Sequence, residues 1–242
     1  MRHYIDLSEQ ALLQIIINGL EAFVVIHNGH KRSGIEMHGH FFGSTESTAS
    51  TIRHKIDFFS ADTSAVMMPG HCISDNDNRV MKSEIAKSFS KNNRYNLLGS
   101  LHTHPYTNFE LRSMNNVNQL IFMRNTACNF SDEDINSFLQ KINIFNTPYI
   151  IEGIFAINDR PRQSIEGDGK IKDNIFEFSL GNLKCFINIQ AFSLDKNKNL
   201  AEVPTILKCE YLEKFHYIAS SFDFGRIKIK ENKKRIFEYK PT

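Results

Sequence analysis

The sequence predicts an α/β fold of the α+β kind, a β-sheet flanked by helices with a β-rich C-terminal extension. Three observations carry this. Apolar residues recur at helical spacing in 8–17, 76–93 and 131–139. Apolar runs suited to strands stand between and after them, at 36–43, 97–104 and 149–157. From 176 to 194 the chain alternates around a turn signal, as a hairpin does. The 242 residues suit one domain with an extension, drawn at 1–159 and 160–242, and are enough to bury a real core.

In order, Ser8 caps a first helix whose apolar positions are Leu12, Leu13, Ile16 and Ile17, and Asn18-Gly19 is a place for it to end. The short run from Glu21 to Ile26 fits either a strand or a continued helix. Gly34 to Gly43 reads as a strand closing at the Gly43-Ser44 turn, with Gly39 marking a close backbone approach. Ser50 to Ser60 alternates as a strand, and Pro69-Gly70 is a turn. Residues 76–93 form an amphipathic helix with Val80, Met81, Ile85, Ala86 and Phe89 on its expected core face. After the strand at 97–104, Tyr106 to Asn129 is Asn-rich, with a short helical segment at Val117 to Met123. Ser131 caps the next helix, with Asp134 in its first turn. A central strand at Tyr149 to Ile157, a surface connection at 158–173 and a hairpin around Gly181-Asn182 follow. The chain closes with a helix from Glu210 to Phe222 and a hairpin of 226–230 with 235–239.

An apolar content of 41% and a charged content of 23% are ordinary for a soluble globular protein, and no apolar run reaches the roughly 18 residues of a membrane span. The opening Met1-Arg2-His3-Tyr4-Ile5-Asp6 does not read as a signal peptide, so a cytoplasmic location is expected. A net charge of +2 argues against nucleic acid or an anionic membrane as the main partner. Cys72, Cys128, Cys185 and Cys209 lack Cys-x-x-Cys spacing and are expected to be small core residues rather than disulfides or a thiolate zinc site.

The chemistry centres on His102-Thr103-His104-Pro105, at the end of an apolar strand. Side chains at i and i+2 share a face of a strand, so the two imidazoles aim at one point and can hold a metal. A catalytic zinc normally takes three protein ligands and a water, so a third ligand and a base are sought elsewhere. Glu36, an acid at the start of a core strand, needs a reason to be there, and Glu21 is another acid ahead of the pair that could serve as a base. His38 and His40 form a second His-x-His pair, for which packing or a substrate-facing role is the simpler reading. His54 and His71 have no partner pattern.

Glu36 with its two glycines, Gly99 ahead of His102-x-His104-Pro105, and Ser131-x-x-Asp134-Ile135 follow one another in the order that resembles the JAMM (MPN+) metalloprotease family. That family includes deubiquitinases that cut isopeptide bonds and bacterial and archaeal enzymes acting on ubiquitin-like proteins. The resemblance covers roughly residues 8–157. It implies a JAMM/MPN-like curved mixed sheet and a zinc ion (Zn2+) held by His102, His104 and Asp134. It further implies Glu36 as general base and then general acid, and Ser131 as a donor to the oxyanion. The implied substrate is the amide bond after the C-terminal tail of a ubiquitin-like protein, in deconjugation or precursor processing. Implied partners are that protein or its conjugates and E1-like or E2-like conjugation enzymes, and a role in antiviral defence is compatible with the resemblance. The 26 residues between His104 and Ser131 exceed the family's usual spacing, so 106–129 is read as an insertion beside the site. Ser113, nearer the usual register, is followed by Asn116, a poorer zinc ligand than a carboxylate. The alternatives are a non-catalytic MPN-like scaffold that binds a partner protein, or a zinc hydrolase acting on another amide.

Overall fold

In the computed structural model, strongly curled pairing of long strands organises the chain. The structure describes residues 1–25, 34–74, 76–89, 95–145, 147–160, 167–214 and 217–218. The elements run β1 (Arg2–Leu7), α1 (Glu9–Val24), β2 (His38–Ser47), β3 (Thr51–Ala61), β4 (Val66–Met68), β5 (His71–Ile73), α2 (Asn76–Phe89) and β6 (Asn96–Tyr106). Next come α3 (Asn116–Phe122), a π-helical turn (Met123–Ala127), α4 (Asp132–Phe145), β7 (Tyr149–Asp159), β8 (Gly169–Lys172), β9 (Ile175–Leu180) and β10 (Leu183–Leu194). The last described elements are β11 (Leu200–Glu202), β12 (Thr205–Lys208), α5 (Glu210–Lys214) and β13 (Tyr217–Ile218).

Among the described residues, one open mixed sheet has the order β12-β1-β3-β2-β6-β7-β10-β9-β13, with β11 on β10 and β8 on β9. β4 and β5 form a separate hairpin. The predicted mixed α/β class therefore holds at this level. β10 pairs with β7 from Leu183↔Asp159 to Ser193↔Tyr149, and β12 pairs with β1 at the far edge. Strands from both sides of the expected 159/160 boundary thus share one sheet. Register shifts at Phe42/Gly43 against β3 and at Phe41/Phe42 against β6 bend β2 beside the site.

The two faces of the sheet differ. On one, α1 packs Ala11, Leu12, Ile15, Ile16 and Phe23 against Leu101, Ile151, Phe155 and Phe178. Ser8 caps α1 by accepting from the Ala11 amide at 3.1 Å, as its position predicts. Of the two readings of the run from Glu21, the continued helix holds as far as Val24: α1 does not end at Asn18-Gly19. Gly19 serves packing instead: a Cβ there would lie 2.7 Å from the Phe155 ring. Gly39 does mark a close approach, since a Cβ there would run into the Phe59 ring. On the other face, the segment 106–129 packs Leu111, Met123, Ala127 and Cys128 against Ile154, Ala156 and Phe186. Phe138 and Ile142 of α4 pack against Ile150 and Phe192. Between these two apolar clusters the face is polar.

Four further expectations change. The strand expected at 34–43 begins at His38 and continues to Ser47, its pairing with β3 running on past the bulge at Phe42/Gly43. The apolar side of α2 is not core: Val80, Met81, Ile85 and Phe89 are at least half exposed and Ala86 alone is buried among the helix's described residues. Of the helix expected at 210–222, the described residues form α5 at Glu210–Lys214, while Tyr217-Ile218 pairs with Ser179-Leu180 instead. Cys72 is partly exposed, while Cys128, Cys185 and Cys209 are buried, and all four are free thiols. The short helix at 117–123 and the hairpin around Gly181 are found where predicted. The predicted hairpin of 226–230 with 235–239 lies outside the described residues. Among the described residues, no helix is long and apolar enough to cross a membrane.

Candidate metal centre

β6 runs antiparallel to β2 and parallel to β7, in mid-sheet. Leu101 and Thr103 face α1, so the alternation of the strand sends Ser100, His102 and His104 to the opposite face. There His102 Nε2 lies 2.9 Å from His104 Nε2 and 3.2 Å from Asp134 Oδ1. The three donor atoms fall within 4.8 Å of one another. Zinc bonds of about 2.0–2.2 Å set donor separations of about 3.3–3.6 Å around a tetrahedron, so small outward shifts of these side chains accommodate an ion.

Hydrogen bonding prepares the set. His104 Nδ1 donates to the Ala127 carbonyl at 2.7 Å, and since a carbonyl only accepts, the neutral ring keeps its lone pair on Nε2. Burial holds both histidines below their ordinary range, and for His102 the neighbouring His104, Lys141 and His38 add to it. Burial thus favours the neutral rings, the form in which an imidazole can hold a metal. The Ala127 carbonyl belongs to the π-helical turn near the end of the 106–129 segment, so that segment orients the His104 ring.

Asp134 arrives by helix capping. Ser131 Oγ accepts from the Asp134 amide at 3.2 Å, and Asp134 Oδ2 accepts from the Ser131 amide and hydroxyl, both at 2.8 Å. This is a reciprocal capping box at the start of α4. It occupies one carboxylate oxygen and turns the other, Oδ1, towards His102.

Glu36 lies in the extended lead-in to β2, 8% exposed. Its amide donates to the Met68 carbonyl at 3.1 Å, which ties it to β4. Next to it, Met37 and Thr103 exchange two hydrogen bonds. Burial, then the carboxylates of Asp134 and Glu133, push the Glu36 carboxyl up to about 8.

Glu36, His102, His104, Ser131 and Asp134 line one cavity of about 480 Å³. The rivals do not join them. Glu21 is exposed on α1, Ser113 and Asn116 are exposed before and at the start of α3, and His54 is buried against His3 and Thr45. His38 and His40 do line the cavity, from β2.

Sequence reasoning missed the rest of this polar surface. Ser100 donates to Glu152 Oε2 at 2.6 Å, and Lys141 of α4 reaches both, at 2.7 and 3.1 Å. Glu152 is fully buried, and burial raises its pKa against the pull of Lys141 and Ser100. A lone acid within Ile150-Ile151-Glu152-Gly153-Ile154 was the available signal. Cys72 also lines the cavity; burial, reinforced by Glu36, pushes its thiol up to about 12, which disfavours the thiolate. Asp62, just past β3, faces His38 and His40 with no sequence pattern to announce it.

Neither the scan of protein-family models nor the search of curated proteins finds a match to this chain.

Proposed function

We propose that this chain is a zinc-dependent hydrolase that cuts the amide bond after the C-terminal tail of a ubiquitin-like protein, as members of the JAMM (MPN+) family it resembles do. The carrying observation is convergence: Glu36, His102, His104, Ser131 and Asp134, spread over 99 positions from 36 to 134, line a single cavity. Two neutral imidazoles and a carboxylate are a donor set that suits zinc and leaves a position open. Bound there, zinc would act as a Lewis acid and make a water acidic near pH 7.

The chain's own groups supply the remaining steps. Glu36 takes a proton from the attacking water and passes it to the leaving nitrogen, a transfer suited to a carboxyl whose pKa burial has brought near neutrality. The first task of Ser131 is to hold Asp134, because its hydroxyl is committed to Oδ2. Donation to a developing oxyanion requires that hydroxyl to turn. No thiolate is called for, in keeping with the raised pKa of Cys72.

The test compares a ubiquitin-like domain fused through its C-terminal tail to a reporter with a plain peptide of the same junction. Zinc-loaded protein should cleave the fusion and leave the peptide largely intact, and zinc-loaded Glu36→Gln should cleave neither. Equal cleavage of both substrates would mean a general amidase, and cleavage by Glu36→Gln at the wild-type rate would remove Glu36 from the chemistry.

A further inference from the structure

Beside the first cluster lies a second one, built from residues the proposed hydrolysis does not use. His38 and His40 stand two positions apart on β2 and Asp62 follows β3; they are 5%, 2% and 1% exposed. His38 Nδ1 lies 3.7 Å from Asp62 Oδ2 and His40 Nε2 lies 3.9 Å from the same oxygen. The three donor atoms fall within 4.8 Å of one another. We infer that His38, His40 and Asp62 form a second cation site for zinc or a similar divalent transition metal, separate from the His102-His104-Asp134 set.

Two buried imidazole nitrogens are a second, independent observation that points to a ligand. Neither His38 Nδ1 nor His40 Nε2 has a hydrogen-bond partner, although both atoms are buried. A buried polar atom left unpaired is costly, so such atoms in folded proteins usually meet an ion or a water. At 3.7 and 3.9 Å the gaps to Asp62 are too long for hydrogen bonds. They exceed the tetrahedral donor separation of about 3.3–3.6 Å by only a few tenths of an ångström, which a slight inward movement closes.

Asp62 is braced as a ligand would be. Its Oδ1 accepts from the Ser64 amide at 3.2 Å and hydroxyl at 2.8 Å and from the Asn78 side chain, and its Oδ2 accepts from Ser74 Oγ at 2.9 Å. Its own amide donates to the His38 carbonyl at 2.7 Å. These bonds fix the carboxylate while its Oδ2 faces the two imidazoles. The rival is a charge balance by Lys82, whose ammonium donates to the neighbouring Ala61 carbonyl at 2.5 Å. That contact leaves both imidazole nitrogens unsatisfied. Two imidazoles with one carboxylate are borderline donors, which favours zinc over calcium or magnesium.

The two sets are neighbours: His38 is the cross-strand partner of His102 in the β2–β6 ladder, and both line the same cavity. The second ion would pin β2 to the loop after β3, on the ladder that carries His102.

Crystals of the full chain grown with zinc chloride and measured at the zinc edge test this without any substitution. The expected anomalous map has a peak among His38, His40 and Asp62 as well as one at His102, His104 and Asp134. In solution, wild type should bind two zinc ions, and His40→Ala and the double variant His102→Ala/His104→Ala one each. A single peak at the His102 set, with His40→Ala binding as much zinc as wild type, would overturn the inference. A peak at the His38 set alone would uphold it while removing the metal from the proposed hydrolase, and no peak at either set would overturn both.

Discussion

Thr103, the residue between the two histidines, holds Met37, the neighbour of Glu36: its hydroxyl accepts from the Met37 amide at 2.8 Å, and its own amide donates to the Met37 carbonyl at 2.9 Å. The proposed base, Glu36, and the proposed metal pair are thereby tied through the backbone. Thr103→Val keeps the shape and deletes the acceptor, leaving the Met37 amide unsatisfied. Denaturant unfolding should show a loss of about 1–3 kcal/mol. Turnover should fall while zinc affinity stays near wild type, because His102 and His104 keep their strand.

The bonds that cap α4 at Ser131 and Asp134 are also the ones that aim the proposed ligand oxygen. Ser131→Ala should cost about 1 kcal/mol as a lost helix cap, seen in thermal unfolding. It should also weaken zinc binding by about 10-fold, since one of the two bonds that hold the carboxylate is gone while the one from the Ser131 amide remains. Asp134→Asn should keep more of the cap than of the metal. A Ser131→Ala protein with wild-type zinc affinity would show that α4 alone aims Asp134.

The pH dependence of Glu36 has a definite sign. Its folded pKa, about 8, stands above its ordinary 4.5. Its contribution to stability is therefore full below about 4.5 and is lost as pH rises through about 8. In chelator-treated protein, Glu36→Gln should unfold like wild type at pH 5 and be more stable at pH 9, by an amount on the order of a few kcal/mol. The same variant should lose catalysis by at least about 100-fold with zinc still bound. Such a gain in stability with a loss of activity is the expected mark of a strained catalytic group.

His54 carries the opposite sign, away from the cavity. Burial, then the adjacent His3, holds its pKa down to about 3, against an ordinary 6.5. Its neutral form is bonded to His3 at 2.9 Å and to Thr45 at 3.0 Å. Stability from this group is present above about 6.5 and is lost as pH falls towards 3. His54→Gln, which hydrogen-bonds without titrating, should flatten the fall in melting temperature of metal-free protein between pH 6.5 and 4. An unchanged slope would assign acid lability to other groups.

Local rules made part of this legible. The His-x-His spacing gives one strand face, and the Ser131 cap gives a helix start with an acid in its first turn; both follow from geometry within four residues. The β9–β10 turn and the α1 cap were readable for the same reason. Tertiary partners were not. Gly19 reads as a helix stop, yet it is there for the Phe155 ring. The apolar side of α2 reads as core, yet the sheet does not cover it. Asp62 meets His38 and His40 only because β2 and β3 are paired, and Ala127 reaches His104 only because the 106–129 segment folds back over β7.

The most direct test is zinc titration of chelator-treated wild type and Asp134→Ala, with circular dichroism to verify the fold of each. The account predicts that Asp134→Ala binds one zinc fewer, or binds that zinc at least about 100-fold more weakly, because a three-residue site has lost its only anionic ligand. Equal stoichiometry and equal affinity in the two folded proteins would contradict a metal centre built from His102, His104 and Asp134.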